Sequence, residues 1–206
     1  MTITNEDNMK LMARYEDNYF DLAIVDPPYG VIDDSKTSFK KDTFKNIRKA
    51  KKWDTKPSSV YWKELCRVSK NQIIWGFQYF MNELTPTKSI IIWDKMNGDN
   101  FMNDAELAWQ NVKGNNKIFK HAYIGKYHPD PVRIHPTQKP VKLYEWLLMN
   151  YAKEGDKILD PHLGSGSMAL ACHNLGFEFT ACELDKEYYE ASIKRIKNHI
   201  SQQRLF

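Results

Sequence analysis

Short apolar runs, each bounded by polar residues, recur along the chain. Residues 22–25, 157–160 and 177–182 form runs of the length expected for buried strands. Segments with helical periodicity lie between such runs. This alternation predicts an α/β fold with a mostly parallel sheet covered by helices on both faces.

The helical segments show apolar side chains on one face. Trp62, Leu65 and Val68 recur at helical spacing, and residues 144–151 repeat the pattern in a helix that opens at Pro140. Residues 167–175 predict another helix, which Gly176 follows directly. We expect these apolar faces to pack against the sheet.

Length and composition favour one domain covering residues 1–206. With 42% apolar residues, the chain is long enough to bury a core. No apolar run approaches the roughly 18 residues of a membrane span, and the N-terminus lacks a signal-peptide pattern. The three cysteines are too few and too scattered for a disulfide framework, and their odd number fits a reducing compartment. We therefore expect a cytoplasmic protein without a membrane segment.

A carboxylate, two prolines and an aromatic residue follow the first of these strands, as Asp26-Pro27-Pro28-Tyr29. Open α/β folds bind ligands at the carboxyl edge of the sheet, where this loop would lie. The prolines stiffen the loop, and its carbonyls can accept hydrogen bonds from a ligand. Asp26 adds an anionic acceptor and Tyr29 a flat stacking face. The set suits a planar base with an amino group, although Asp-Pro turns are also common structural turns.

A glycine-rich turn follows the strand at residues 157–160 and leads into a helix. Glycines there let the backbone approach a ligand closely at the helix N-terminus. The next strand ends at Glu183, which can accept hydrogen bonds from both hydroxyls of a ribose. Gly164, Gly166 and Ala169 also match the G-x-G-x-x-A pattern of dinucleotide-binding enzymes, so a nicotinamide-dependent oxidoreductase stays an alternative. Nothing else in the chain indicates hydride chemistry.

Together and in this order, the two elements resemble the beta-class amino-DNA methyltransferases. In that family a catalytic D-P-P-Y comes first, and the cofactor loop D-P-F-x-G-S-G-T comes last. This chain has His162 for the usual aromatic residue and Ser167 for Thr. Residues 135–140 are the family's H-P-T-Q-K-P unchanged, and residues 61–70 look like the helix after the catalytic loop. The resemblance implies a Rossmann-like class I methyltransferase fold with a circularly permuted motif order.

The resemblance also implies site residues and a cofactor, S-adenosyl-L-methionine. It assigns catalysis to Asp26, Pro27, Pro28 and Tyr29, and it implies no metal. The expected cofactor contacts are Asp7, Thr137, Lys139, Asp160, His162, Gly164, Ser165, Gly166, Ser167 and Glu183. Family members with Asp before Pro-Pro-Tyr mostly methylate adenine, so the expected product is N6-methyladenine in DNA, with N4-methylcytosine the alternative.

Basic residues indicate where double-stranded DNA would bind. A basic loop at about residues 31–56 follows the catalytic loop, and residues 111–133 would form a small target-recognition segment. The candidate contacts are Lys40, Lys41, Lys45, Arg48, Lys49, Lys51, Lys52, Lys113, Lys117, Lys120 and Arg133. A solvated loop and a surface hairpin without a readout role are the alternatives. So short a segment implies either a short target or help from a second subunit, as in a homodimer.

Two further alternatives concern activity. A DNA-binding module that keeps the fold without turnover would not need Asp26, Tyr29, Asp160 and Glu183, all of which are present. Protein-glutamine methyltransferases use N-P-P-Y and carry the cofactor loop before the catalytic loop, the reverse of this chain. The favoured function is therefore site-specific DNA methylation of the restriction-modification kind.

Overall fold

A computed structural model of the chain describes residues 1–31, 54–98, 103–112, 114–122 and 133–202. Within these residues, eight strands form one sheet in the order β1-β8-β7-β2-β3-β5-β4-β6. The strands are β1 Thr2–Asn5, β2 Phe20–Val25, β3 Ser69–Trp75, β4 Ile90–Asp94, β5 Ala105–Gln110, β6 Lys117–Lys120, β7 Lys157–Asp160 and β8 Glu178–Glu183. Only β5 among them runs antiparallel to its neighbours, β3 and β4.

Five α-helices and a short 3-10 turn accompany the sheet in the described residues. The helices are α1 Asn8–Met12, α2 Ser59–Val68, α3 Val141–Tyr151, α4 Ser167–Leu175 and α5 Lys186–Ser201, and the 3-10 turn is Phe77–Tyr79. None of these helices is long and apolar enough to cross a membrane.

The central strands are buried on both faces, because their side chains alternate between two cores. Leu22 and Ile24 of β2 pack on one face with residues of α3, α4 and α5. Ala23 and Val25 pack on the other face with residues of α1 and α2. The predicted α/β sheet with helices on both faces is therefore confirmed.

Element boundaries follow the sequence closely, with one exception. Helix α4 spans residues 167–175 and Gly176 ends it with φ of 76°, as predicted. Helix α2 ends at Val68 rather than continuing to residue 70, because Ser69 is already extended and its hydroxyl donates to the Leu65 carbonyl at 2.6 Å. Within the segment 111–133 the structure describes strand β6, which pairs in parallel with β4 at the edge of the described sheet.

Candidate active site

Two loops meet at the carboxyl edge of the sheet. Strands β2 and β7 are parallel neighbours, with Ala23 opposite Leu159, so the loops that follow them lie side by side. A cavity of about 460 Å³ opens there, and its lining includes residues 26–29 from the first loop and Gly164 from the second. Glu183, at the end of β8, completes that wall. The structure thus brings both predicted motifs to one cavity.

The catalytic-loop candidate is held by its own side chains. The Tyr29 hydroxyl donates to Asp26 Oδ1 at 2.5 Å. Burial and the Asp26 charge raise the pKa of Tyr29 well above its usual value, so the phenol stays protonated and remains a donor. The Tyr29 ring stacks on Tyr79, with centroids 4.9 Å apart and planes 21° from parallel. Tyr29 is therefore fixed at its hydroxyl and on one ring face.

Gly76 leaves the space that the Tyr29 ring occupies. It follows β3 with φ of 66°, and a Cβ built on it would lie 2.3 Å from Tyr29 Cε1. Real Cβ atoms do not approach that closely, so only glycine fits this turn without moving the ring. Sequence reasoning missed this role. The signal was the glycine after a strand, followed within four residues by Phe77, Tyr79 and Phe80.

A series of ion pairs begins at Asp26 Oδ2, the carboxylate oxygen that Tyr29 does not contact. Lys139 Nζ lies 2.5 Å from Asp26 Oδ2 and 3.0 Å from Glu106 Oε2, and Lys95 Nζ lies 2.6 Å from Glu106 Oε1. Lys139 is only 4% exposed. Burial disfavours its charge, but Asp26 and Glu106 outweigh that and raise its pKa above the usual value. Burial likewise opposes ionisation of Glu106, yet Lys139 and Lys95 lower its pKa to about 2.

This arrangement changes the place assigned to Lys139. The sequence associates it with cofactor binding, but its ammonium faces Asp26 and it is not among the residues that line the cavity. Glu106 reaches the same edge because β5 is antiparallel to its neighbours. The first residues of β5 therefore lie where the neighbouring strands end, and Glu106 pairs with Trp93 near the end of β4. The sequence did not predict a site role for Glu106.

The glycine-rich loop is tied to the end of β8. Glu183 Oε2 accepts from Gly164 N at 2.9 Å, and its other oxygen accepts from Asp185 N at 3.0 Å. Burial raises the pKa of Glu183, and these two N–H groups oppose that shift. The Gly164 φ of 52° needs a glycine, which leaves its backbone bare at the cavity wall.

The rest of the loop turns away from the cavity. Ser165 and Ser167 are buried, and Arg195 of α5 donates to the Ser165 carbonyl and to Ser167 Oγ, both at 2.9 Å. Gly166 packs against Ile196, with a built Cβ 3.1 Å from its Cδ1. Ser165, Gly166 and Ser167 therefore support the turn from behind, while Pro161, His162 and Gly164 of the loop line the cavity.

Asp160 and His162 occupy different positions. Asp160 is buried behind the cavity wall, and this burial raises its pKa to about 8. The hydrogen bond that it accepts from His162 N at 3.0 Å lowers the pKa, but by less than burial raises it. His162 lines the cavity, with Nε2 3.1 Å from the Tyr61 hydroxyl and 3.4 Å from Asn8 Nδ2. Burial lowers the pKa of His162 to about 4, so its ring is neutral near pH 7.

The remaining cofactor candidates lie on the cavity rim. Asp7 caps α1, accepting from Met9 N at 2.9 Å, and it also lines the cavity. Thr137 and His135 both line the cavity. The His135 ring packs edge-on against the Tyr188 ring, with the ring centroids 4.5 Å apart. His135, the first residue of the H-P-T-Q-K-P segment, thus lies on the cavity wall as well.

The candidate DNA contacts are only partly described. Residues 40–52 and Lys113 lie outside the described residues. Lys117 and Lys120 are exposed on the edge strand β6. Arg133 is exposed and donates to the carbonyls of His135 and Pro136, so it also shapes the start of the H-P-T-Q-K-P segment. In the described part of the chain, no group of three or more His, Cys, Asp or Glu residues is placed to hold a metal ion.

Comparisons with known proteins agree with this geometry. The sequence model of a DNA methylase family matches residues 20–194. The type II methyltransferase M.HpaI of Haemophilus parainfluenzae is 34% identical over 83 residues, which cover 40% of this chain and 26% of that protein. M2.DpnII of Streptococcus pneumoniae is 43% identical over 63 residues, which cover 31% of this chain and 24% of that protein. The chain thus spans about a quarter of the length of these curated relatives.

Solved structures show the same fold over nearly the whole chain. The structure described as the M1.HpyAVI–SAM complex superposes with a TM-score of 0.60 and 21% identity, covering 98% of this chain and 99% of that one. The class I methyltransferase fold predicted from the motif order is therefore confirmed.

Proposed function

Because the chain belongs to the DNA methylase family whose model spans residues 20–194, we propose that it methylates an exocyclic amino group of a base in double-stranded DNA, with S-adenosyl-L-methionine as methyl donor. One observation carries the proposal. The Asp26–Tyr29 loop and the Gly164–Glu183 site open on the same cavity, in the beta-class order of catalytic loop before cofactor loop. A base and a methyl donor held there would be adjacent.

The charge of the cavity fits a positively charged ligand. Its described lining includes no Lys or Arg, and it includes the carboxyl groups of Glu6, Asp7, Asp26, Asp54 and Glu183. Two of these, Glu6 and Asp26, form ion pairs with Arg14 and Lys139, which lie outside the lining. S-adenosyl-L-methionine supplies a methyl group on a positively charged sulfur. A dinucleotide would bring a pyrophosphate into the same carboxylates, which disfavours the oxidoreductase alternative.

The residues of this chain have separable roles in the proposed reaction. A base amino group is a weak nucleophile, because its lone pair is delocalised into the ring. Hydrogen bonds from that group to Asp26 and to the Pro27 carbonyl would orient the nitrogen and favour a pyramidal geometry. The base must leave the duplex to reach the loop, and the Tyr29 ring, which lines the cavity, offers it a stacking surface.

Glu183 is proposed to hold the ribose of the methyl donor, with Gly164 allowing close approach. Glu183→Ala would remove that acceptor and the anchor of Gly164, and we expect it to weaken donor binding by about 1–3 kcal/mol. Titration calorimetry with S-adenosyl-L-methionine measures the loss. Glu183→Gln, which keeps one acceptor oxygen, should lose less. Equal affinity of the wild-type protein for NAD would contradict the assignment.

The finer proposal is that the modified base is adenine, at N6. Adenine and cytosine both present an amino group beside a ring nitrogen, so the pocket alone does not separate them. The support comes from the resemblance, because Asp26 stands before Pro-Pro-Tyr where cytosine-modifying members mostly have Ser. N4-cytosine methylation is the alternative within the family.

Incubating the protein with unmethylated genomic DNA and a labelled methyl donor tests both levels of the proposal. After digestion, mass spectrometry of the nucleosides should show N6-methyladenine as the main product. N4-methylcytosine would contradict the adenine assignment and leave amino methylation intact. No labelled nucleoside, with donor binding retained, would favour a DNA-binding module without turnover.

We also propose that the whole chain is one methyltransferase domain that binds DNA through residues 31–56 and the segment 111–133. The basic residues of the first region would contact phosphates, so DNA affinity should fall steeply with salt. The second region is short for base readout, which supports a short target or a contribution from a homodimer partner.

A further inference from the structure

We propose that Lys139 is a positioning residue for methyl transfer, which holds the ionised carboxylate of Asp26 in the orientation that receives the amino group of the base. The inference rests on the proposed function and deepens it. Lys139 lies behind Asp26 and outside the cavity lining, so it would act through Asp26 rather than on the substrate.

The Asp26 carboxylate is held in one orientation. Its two oxygens have different partners, since Oδ1 accepts from the Tyr29 hydroxyl and Oδ2 from Lys139 Nζ, each at 2.5 Å. Rotation about the Cβ–Cγ bond would break one contact or the other. The plane of the carboxylate is therefore fixed, and each oxygen keeps a second lone pair for a further donor. Lys139 carries donors only, so it cannot compete with Asp26 for the hydrogens of the amino group.

Burial of the lysine has an energetic cost. A buried ammonium is strongly unfavourable unless charges and hydrogen bonds compensate it. Here each cation contacts an anion, because positive and negative side chains alternate along one series of contacts: Lys95, Glu106, Lys139 and Asp26. The ammonium also lies 5.5 Å from the centroid of the Trp75 ring. Such a network keeps one rigid arrangement, which is what an acceptor of fixed orientation requires.

A cation contacts Asp26 directly. Lys139 Nζ donates a charge-assisted hydrogen bond to Asp26 Oδ2, and such a bond is stronger than one between neutral groups. The other titratable groups near Asp26 are the Tyr29 hydroxyl, Glu106, Tyr144 of α3 and Asp160 at the end of β7. None of these is a cation, so Lys139 is the positive charge among the groups described around Asp26.

Two double variants separate this role from simple burial of charge. Lys139→Met with Glu106→Gln removes one cation and one anion and leaves Asp26 without its ammonium. Lys95→Met with Glu106→Gln also removes one cation and one anion from this network, but it leaves the Lys139–Asp26 contact in place. Both variants keep the network neutral. We would measure kcat for methyl transfer to DNA from pH 5 to 9, donor affinity by calorimetry, and Tm for each.

The expected result is a large difference in rate between the two variants. The Lys139→Met double variant should lose about 100-fold in kcat, the size of effect that a misplaced reacting group produces, with donor affinity close to wild type. At every pH from 5 to 9 its kcat should lie below that of the Lys95→Met variant, because only the Lys139→Met variant lacks the ammonium that contacts Asp26 Oδ2. Asp160 and Tyr144 are common to both variants and cancel in the comparison.

Other results would overturn the proposal. Equal kcat in the two double variants across this pH range would show that Lys139 has no special relation to Asp26. A loss of donor affinity matching the loss of rate would return Lys139 to cofactor binding. If the Lys139→Met double variant does not fold, Lys139→Arg, which keeps the cation in a different shape, should lower kcat and leave donor affinity unchanged. A wild-type protein that binds the donor and methylates no DNA would instead overturn the proposed function.

Discussion

Asp26→Asn is expected to lower kcat for methyl transfer by about 100- to 1,000-fold, the cost typical of removing one preorganised group that stabilises developing charge. The amide keeps the size of the side chain but has one acceptor oxygen and no charge. The amino nitrogen gains positive charge as the methyl group is transferred, and the substituted side chain would no longer offset it. Rates with labelled donor and DNA measure the effect.

Donor binding is the control for this variant. Lys139 would keep Glu106 as a partner at 3.0 Å, so the fold should persist. Donor affinity measured by calorimetry should stay near that of the wild type. Tyr29→Phe, which removes the hydroxyl bonded to Asp26 and keeps the stacking ring, should retain more activity than Asp26→Asn. A wild-type rate for Asp26→Asn would show that the reacting nitrogen does not depend on Asp26.

Gly76→Ala is expected to lower methylation about 100-fold, because the new Cβ would occupy the place of the Tyr29 ring. A displaced ring would carry its hydroxyl away from Asp26 and its stacking face away from the base. The substitution also forces a side chain into the left-handed region, at about 1–2 kcal/mol of stability. Methylation rates and Tm together separate the two effects.

Gly98→Ala is the matched control for Gly76→Ala. Gly98 has φ of 64°, close to the 66° of Gly76, and no atom of the described residues lies within 4 Å of a Cβ built on it. The backbone cost should therefore be similar, and the rate should stay near that of the wild type. If both variants lost methylation equally, the contact with the Tyr29 ring would not explain the loss.

Sequence reasoning located the parts of the site that depend on neighbouring residues. The Asp26–Tyr29 loop, the turn at Gly164 and the acidic end of β8 are local patterns, each following a strand whose apolar run is visible. Their meeting at one cavity followed from the rule that parallel strands present their carboxyl ends together. Pattern and rule were enough to predict the fold class and the two sides of the cavity.

The charge network was not predictable in the same way, because it depends on pairings between distant parts of the chain. Lys139 and Asp26 are 113 residues apart. Glu106 joins them only because β5 runs antiparallel and so begins at the edge where β3 and β4 end. An apolar strand does not reveal its direction in the sequence. The motif therefore located Lys139 near the site, and only the structure showed which atom it contacts.

The position of β7 in the sheet has a consequence for how the protein is made. Strand β7 lies between β8 and β2 in the interior of the sheet, although it comes late in the chain. During synthesis β1 and β2 emerge long before β7, so the interior edge of β2 has no partner, and β1 has none until β8 appears. Such non-local pairing slows folding and leaves apolar strand edges open to other chains. We therefore expect nascent chains of this protein to be most vulnerable to aggregation before β7 and β8 are complete.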